Sequence, residues 1–156
     1  MKAVIRHGEA GRRDRWEGDD RLRPLSKKGW RQAEALLEAL AGVRYRRILS
    51  SPYIRCVQSV QPLAEAQGVP VEETEELAEG AGLQPTLALI QRLAGTSAAL
   101  CTHGDIMVEL CDHLVERGLI GRDQVRYAKG AAWVLEEEKG DLVAAHYLPA
   151  QEARRV

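Results

Sequence analysis

The chain has 156 residues, a formal net charge of −1 and 45% hydrophobic residues. That length suits one domain with a sizeable core, and the near-balanced charge excludes a dedicated nucleic-acid or membrane-surface binder. No apolar run approaches the roughly 20 residues of a membrane span, and the N-terminus lacks a signal-peptide layout, so a cytoplasmic protein is expected. Cys56, Cys101 and Cys111 are an odd count without metal-ligand spacing, as for small buried hydrophobes in a reducing compartment. Phenylalanine is absent, which leaves Leu, Val, Ile and Ala to build the core.

Val4-Ile5-Arg6-His7-Gly8-Glu9 reads as a buried strand that stops abruptly on charged groups. A buried parallel strand delivers side chains to the rim of its sheet in this way. The stretch Gly11 to Arg23 follows, with Arg12, Arg13, Arg15, Arg21 and Arg23 among Asp14, Glu17, Asp19 and Asp20. It reads mostly as a solvated loop. Because it leaves the end of the first strand, one or two of its arginines are expected to border whatever binds there. Pro24-Leu25-Ser26 opens a helix with Ser26 as N-cap; Trp30, Ala33, Leu36, Leu37 and Leu40 form its apolar face, and Gly42 is the expected stop.

Arg47-Ile48-Leu49-Ser50 is a second strand. Ser51-Pro52 then reads as a helix start, with a capping hydroxyl and a proline at the first helical position. Arg55 falls near the positive end of that helix, where a cation costs a few tenths of a kcal/mol unless an anion sits beside it. Val69-Pro70-Val71 is a short strand near an edge. The acidic run Glu72, Glu73, Glu75, Glu76 and Glu79 reads as solvated surface, with Glu79 the residue to watch. Gln84 to Leu93 is a helix, Ala98 to Thr102 a strand, and His103-Gly104 leads into a helix that closes near Gly118. Ala131 to Leu135 and Leu142 to Leu148, around Lys139-Gly140-Asp141, form an antiparallel hairpin. His113 and His146 read as incidental.

This alternation predicts an α/β fold: a single domain over residues 1–156, a three-layer αβα sandwich with a mostly parallel sheet and a C-terminal antiparallel hairpin. The binding crevice of such folds lies at the carboxyl ends of the strands, where three patches of Arg, His and hydroxyl groups fall.

Those patches are Arg6-His7-Gly8, Ser50-Ser51-Pro52 with Arg55, and Thr102-His103-Gly104. As an ordered set they resemble the signature of the histidine phosphatase superfamily, with its phosphoglycerate mutase-like fold, and most of all its small SixA-like phosphohistidine phosphatase branch. The resemblance covers roughly residues 2–148. The string Leu25 to Ala33 is similar to the family's first-helix motif. Leu77-Ala78-Glu79-Gly80 is similar to the segment where many members keep an acid, a pattern from which the SixA-like branch departs. The resemblance implies His7 as nucleophile, forming a phosphohistidine, with His103 stabilising the charge on the phosphoryl group. Glu79 is the candidate general acid. Arg6 and Arg55 would hold the phosphoryl oxygens in pairs, aided by Gly8, Ser51 and Gly104; Gly8 would also let a backbone carbonyl fix the His7 tautomer. Two nearby arginines favour a neutral imidazole, the form that can attack phosphorus.

The expected activity is metal-independent phosphohydrolysis, without a cofactor, of a phosphohistidine-bearing protein or a small phosphomonoester. Three other readings stand beside it. A mutase-like transfer needs a closed site. A phosphate- or phosphoprotein-binding module has no use for a histidine placed to attack. A metal site would draw on His7, His103, Glu9 and Asp105, but two arginines beside the metal would repel it.

Overall fold

The computed structural model describes residues 1–153. Six strands form one sheet: β1 Lys2–Arg6, β2 Arg47–Ser50, β3 Val71–Glu73, β4 Ala98–Thr102, β5 Ala132–Glu138 and β6 Asp141–Leu148. Four helices connect them: α1 Lys27–Leu40, α2 Ile54–Gln67, α3 Leu83–Arg92 and α4 Gly104–Glu116. The spatial order is β3-β2-β4-β1-β5-β6. The first four of these run parallel, and β5 and β6 add an antiparallel hairpin. The expected mixed α/β sandwich is therefore the observed one.

Side-chain alternation along the central strands builds the layers. Ala3 and Ile5 of β1 join Ile48, Ala99 and Cys101 under α1 and α2 (Leu36, Leu40, Val60, Leu63). Val4, one residue out of phase, joins Leu49 and Leu100 under α3 and α4 (Ile90, Met107, Leu110, Leu114). Both faces of the sheet are thus dry, which explains why β1 and β4 read as continuous apolar runs. All three cysteines are buried and free. Lys2 is fully buried at the other end of β1 and pairs with Glu137 of β5.

Several local signals act as expected. The Ser26 hydroxyl accepts from the Gly29 N–H at 3.1 Å and caps α1. The short strand expected at Val69-Pro70-Val71 does lie at an edge of the sheet, but it runs over Val71–Glu73 and shares only Val71 with that stretch, Pro70 having no N–H to pair. The β5–β6 turn uses Lys139 and Gly140, both at positive φ (53° and 85°), as a two-residue turn matched to strand twist requires. Two helix boundaries also move. Helix α1 stops at Leu40, short of Gly42. Helix α2 begins at Ile54 with Tyr53 in the cap position, and the Ser51 hydroxyl accepts from the Tyr53 N–H one step ahead of it.

Helices α1 and α4 follow the neighbouring strands β1 and β4 but cover opposite faces. Between the ends of these two strands the chain leaves a crevice that no connection fills.

Candidate active site

Residues Arg6 and Thr102 pair across β1 and β4, so the next residue on each strand, His7 and His103, stands at the same level of the rim. The His7 N–H donates to the Thr102 carbonyl at 3.1 Å. The two rings lie 5.3 Å apart, edge to face. Ser51 follows β2 in the same manner, its N–H on the Cys101 carbonyl. Three adjacent strands thus line up Ser51, His103 and His7.

His7 is 7% exposed, and its Nδ1 lies 2.7 Å from the Gly8 carbonyl oxygen. That acceptor fixes the proton on Nδ1 and leaves Nε2 with its lone pair. The arrangement needs a glycine at position 8, since a Cβ there would meet the Gly29 carbonyl at 3.0 Å and Gln32 Oε1 at 3.1 Å. Burial drives the His7 pKa down to about 3, and His103, Arg55 and Arg6 push the same way against the Gly8 hydrogen bond. The ring is therefore neutral across the physiological range.

This has a consequence for stability. In the unfolded chain His7 binds a proton near pH 6.5, and in the native state only near pH 3. Between those values the unfolded state holds the extra proton, so stability falls as pH drops below about 6.5. From pH 7 to pH 5, His7→Gln is expected to lose about 2 kcal/mol less stability than the parent protein in denaturant titrations. Equal losses in both proteins would show that His7 is not held neutral by burial.

His103 is 1% exposed and packs edge-on against Tyr53, centroids 4.5 Å apart. Its Nε2 lies 2.8 Å from the Ser51 Oγ and 3.5 Å from the Cys56 Sγ, while its Nδ1 has no partner. The Ser51 Oγ also accepts from the Tyr53 N–H at 3.3 Å, so one hydroxyl ties His103 to the chain ahead of α2.

Arg6 lies across the start of α4. A Cβ on Gly104 would fall 2.6–2.9 Å from its guanidinium, so the close approach depends on glycine there. Arg6 Nη1 donates to the Tyr127 carbonyl at 2.7 Å. Arg55 is fully buried and clamped by one residue, Asp20: Nη1 donates to its carbonyl at 2.8 Å and Nη2 to its Oδ2 at 3.0 Å. The Asp20 Oδ1 takes Arg23 Nε at 2.9 Å. Burial opposes the charged Asp20 carboxylate, but the two guanidinium groups outweigh it and hold its carboxyl below the ordinary value.

Glu79 reaches the rim because its segment is fixed on either side. The Leu77 carbonyl accepts from Thr102 Oγ1 at 2.7 Å, and the Gly80 N–H donates to Asp105 Oδ2 at 2.9 Å. The Glu79 carboxylate accepts from Arg13 Nη2 at 2.9 Å and stands 3.9 Å from Arg55 Nη2. A pocket of about 350 Å³ joins these groups, lined by Arg6, His7, Arg13, Arg23, Glu79, His103 and Gly104, with Asp105, Tyr127 and Lys129 further out.

A family model for the histidine phosphatase superfamily (branch 1) matches residues 3–82, which hold Arg6-His7-Gly8, Ser51, Arg55 and Glu79. The chain belongs to the histidine phosphatase superfamily. A curated relative from Mycolicibacterium smegmatis, an 8-oxo-(d)GTP phosphatase, is 37% identical over 150 residues; these are 93% of this chain but 47% of the relative, so the chain spans about half the relative's length. Among solved structures, SixA from Agrobacterium tumefaciens is 23% identical with a TM-score of 0.79, covering 95% of this chain and 97% of that one. The protein histidine phosphatase SixA complexed with tungstate is 21% identical with a TM-score of 0.75, covering 97% and 96%. At these identities the likeness is one of fold.

The fold brings His7, His103, Arg6, Gly104 and Glu79 to one pocket. Gly8 and Ser51 do not face it: the Gly8 N–H is spent on Ser59 Oγ at 2.9 Å, and Ser51 holds His103. Each touches one of the two histidines instead, Gly8 through its carbonyl and Ser51 through its hydroxyl. Arg55 stands behind the pocket wall, against Asp20. Of the loop arginines, Arg13 and Arg23 line the pocket, whereas Arg12 pairs with Asp14 and Arg21 with Glu75. The four residues weighed as metal ligands do not converge, since Glu9 turns to Ser26 and the Gly11 N–H and Asp105 to Gly80. Asp20 is the residue that sequence reading missed. It was one acid of a mixed loop, and nothing local marks a partner 35 residues away.

Proposed function

We propose that the chain hydrolyses small phosphomonoesters through a phosphohistidine on His7, with no metal ion. The carrying observation is the hydrogen bond from His7 Nδ1 to the Gly8 carbonyl, which leaves Nε2 as an unprotonated nucleophile inside an arginine-lined pocket. Nε2 attacks phosphorus and the P–N bond forms as the ester P–O bond breaks. The Gly8 carbonyl stabilises the positive charge that develops on the ring. Arg6, Arg23 and His103 hold the phosphoryl oxygens, with Arg55 adding charge from behind. Glu79, entering the reaction in its protonated form, gives its proton to the departing alkoxide; as the carboxylate it then takes a proton from the water that attacks phosphorus, the P–N bond breaks, and phosphate and neutral His7 are released.

Small substrates fit better than a protein surface. The Gly11–Arg23 loop spans the site to the segment after β3, tied by Arg13 to Glu79 and by Arg21 to Glu75. Turnover of phosphohistidine protein should therefore be slow beside that of small esters; the reverse order would favour the phosphohistidine reading. Glu79→Gln is expected to slow alkyl phosphates at least ~10-fold more than nitrophenyl phosphate, whose leaving group needs little help from an acid. Equal slowing of both would reduce Glu79 to a partner of Arg13.

A further inference from the structure

Tyr127 is 38% exposed, yet its backbone is among the better anchored in the loops. Its carbonyl accepts from Arg6 Nη1 at 2.7 Å. The carbonyl before it, of Arg126, accepts from the Trp133 indole at 2.8 Å, and the N–H after it, of Ala128, donates to the Tyr147 hydroxyl at 3.1 Å. Rigid backbone therefore presents a large aromatic side chain to solvent. A lone exposed hydrophobic residue is ordinary and needs no explanation. What sets Tyr127 apart is its place: it lines the same pocket as His7 and His103, and the Arg6 guanidinium carbon sits 6.0 Å from its ring centroid. Val108 of α4, 37% exposed, lines that pocket too. Lys129 and Asp105 supply a donor and an acceptor at the same wall.

We propose that Tyr127 is the platform on which this site stacks a planar heteroaromatic group of the leaving alcohol, which makes the preferred esters nucleotide-like rather than sugar-like. This rests on the phosphomonoesterase reading of the pocket. The ring stands beside the Arg6 guanidinium and lines the same pocket as the two histidines, where a base carried by the leaving alcohol would meet it. Stacking on an aromatic side chain tolerates any base, because every base has a π face. The pocket volume of about 350 Å³ lies in the range of small-molecule sites.

The test compares guanosine 5′-monophosphate with ribose 5-phosphate, which share the same primary ester and differ in the base. Their dissociation constants are measured calorimetrically on the His7→Ala protein, so that binding is read without turnover. With Tyr127 intact the nucleotide binds more tightly. Tyr127→Ala lowers that preference about 10-fold, and Tyr127→Phe, which keeps the ring, restores it. No preference for the nucleotide, or one that is the same with Ala and Tyr, overturns the assignment. Failure of the unmutated protein to turn over nitrophenyl phosphate would instead sink the phosphatase chemistry, and the binding comparison would still decide the role of Tyr127.

Discussion

His7→Ala is expected to lower turnover of nitrophenyl phosphate by at least ~10³-fold, with the fold intact. The loss follows from covalent catalysis: without Nε2 no P–N bond forms, and the remaining charge can only bind substrate. The ring is buried and neutral, so replacing it leaves no unpaired charge, and far-UV dichroism should be unchanged. The parent protein, quenched without acid, should carry a label that acid removes and alkali does not, as a P–N bond dictates. Label on serine, or near-normal turnover by the alanine variant, would remove His7 from the reaction.

Arg55→Lys is the second large effect. Asp20 grips both terminal nitrogens of this guanidinium, a geometry that a single ammonium cannot reproduce. The variant keeps the charge but loses the fork that sets Asp20, and through Asp20 it loosens Arg23 at the pocket wall. A drop of roughly 10²-fold in kcat/KM is expected, since misplaced charge stabilisation at a phosphoryl group costs about that much. Activity within twofold of the parent would mean that Arg55 serves only to pin the Gly11–Arg23 loop.

The parts that the chain announced are those whose cause is local. β1 and β4 are apolar because both sides of the sheet are covered, and their ends carry His7 and His103 because side chains at a parallel rim must lie there. The Ser26 cap and the Lys139-Gly140 turn each depend on a few adjacent residues. The parts that stayed hidden depend on pairing across the fold. Ser51 looked like a helix cap, yet its hydroxyl also serves a histidine 52 residues away, and α2 starts only at Ile54. The acidic run in and after β3 lies on the solvated surface, as expected, but three of its members also pair there with Arg47, Arg21 and Arg92, and Glu79 with Arg13. Charge sign and number were readable there; the partners were not, because an ion pair between loops leaves no periodic trace.

The two histidines are mounted on neighbouring core strands in fixed register, whereas Arg13, Glu79, Tyr127 and Lys129 all sit in connecting segments. Mutation is costly on those strands and cheap in the connections. Descendants of such a chain can therefore exchange one phosphorylated metabolite for another by rewriting a few loop residues, with the bond-breaking apparatus inherited unchanged.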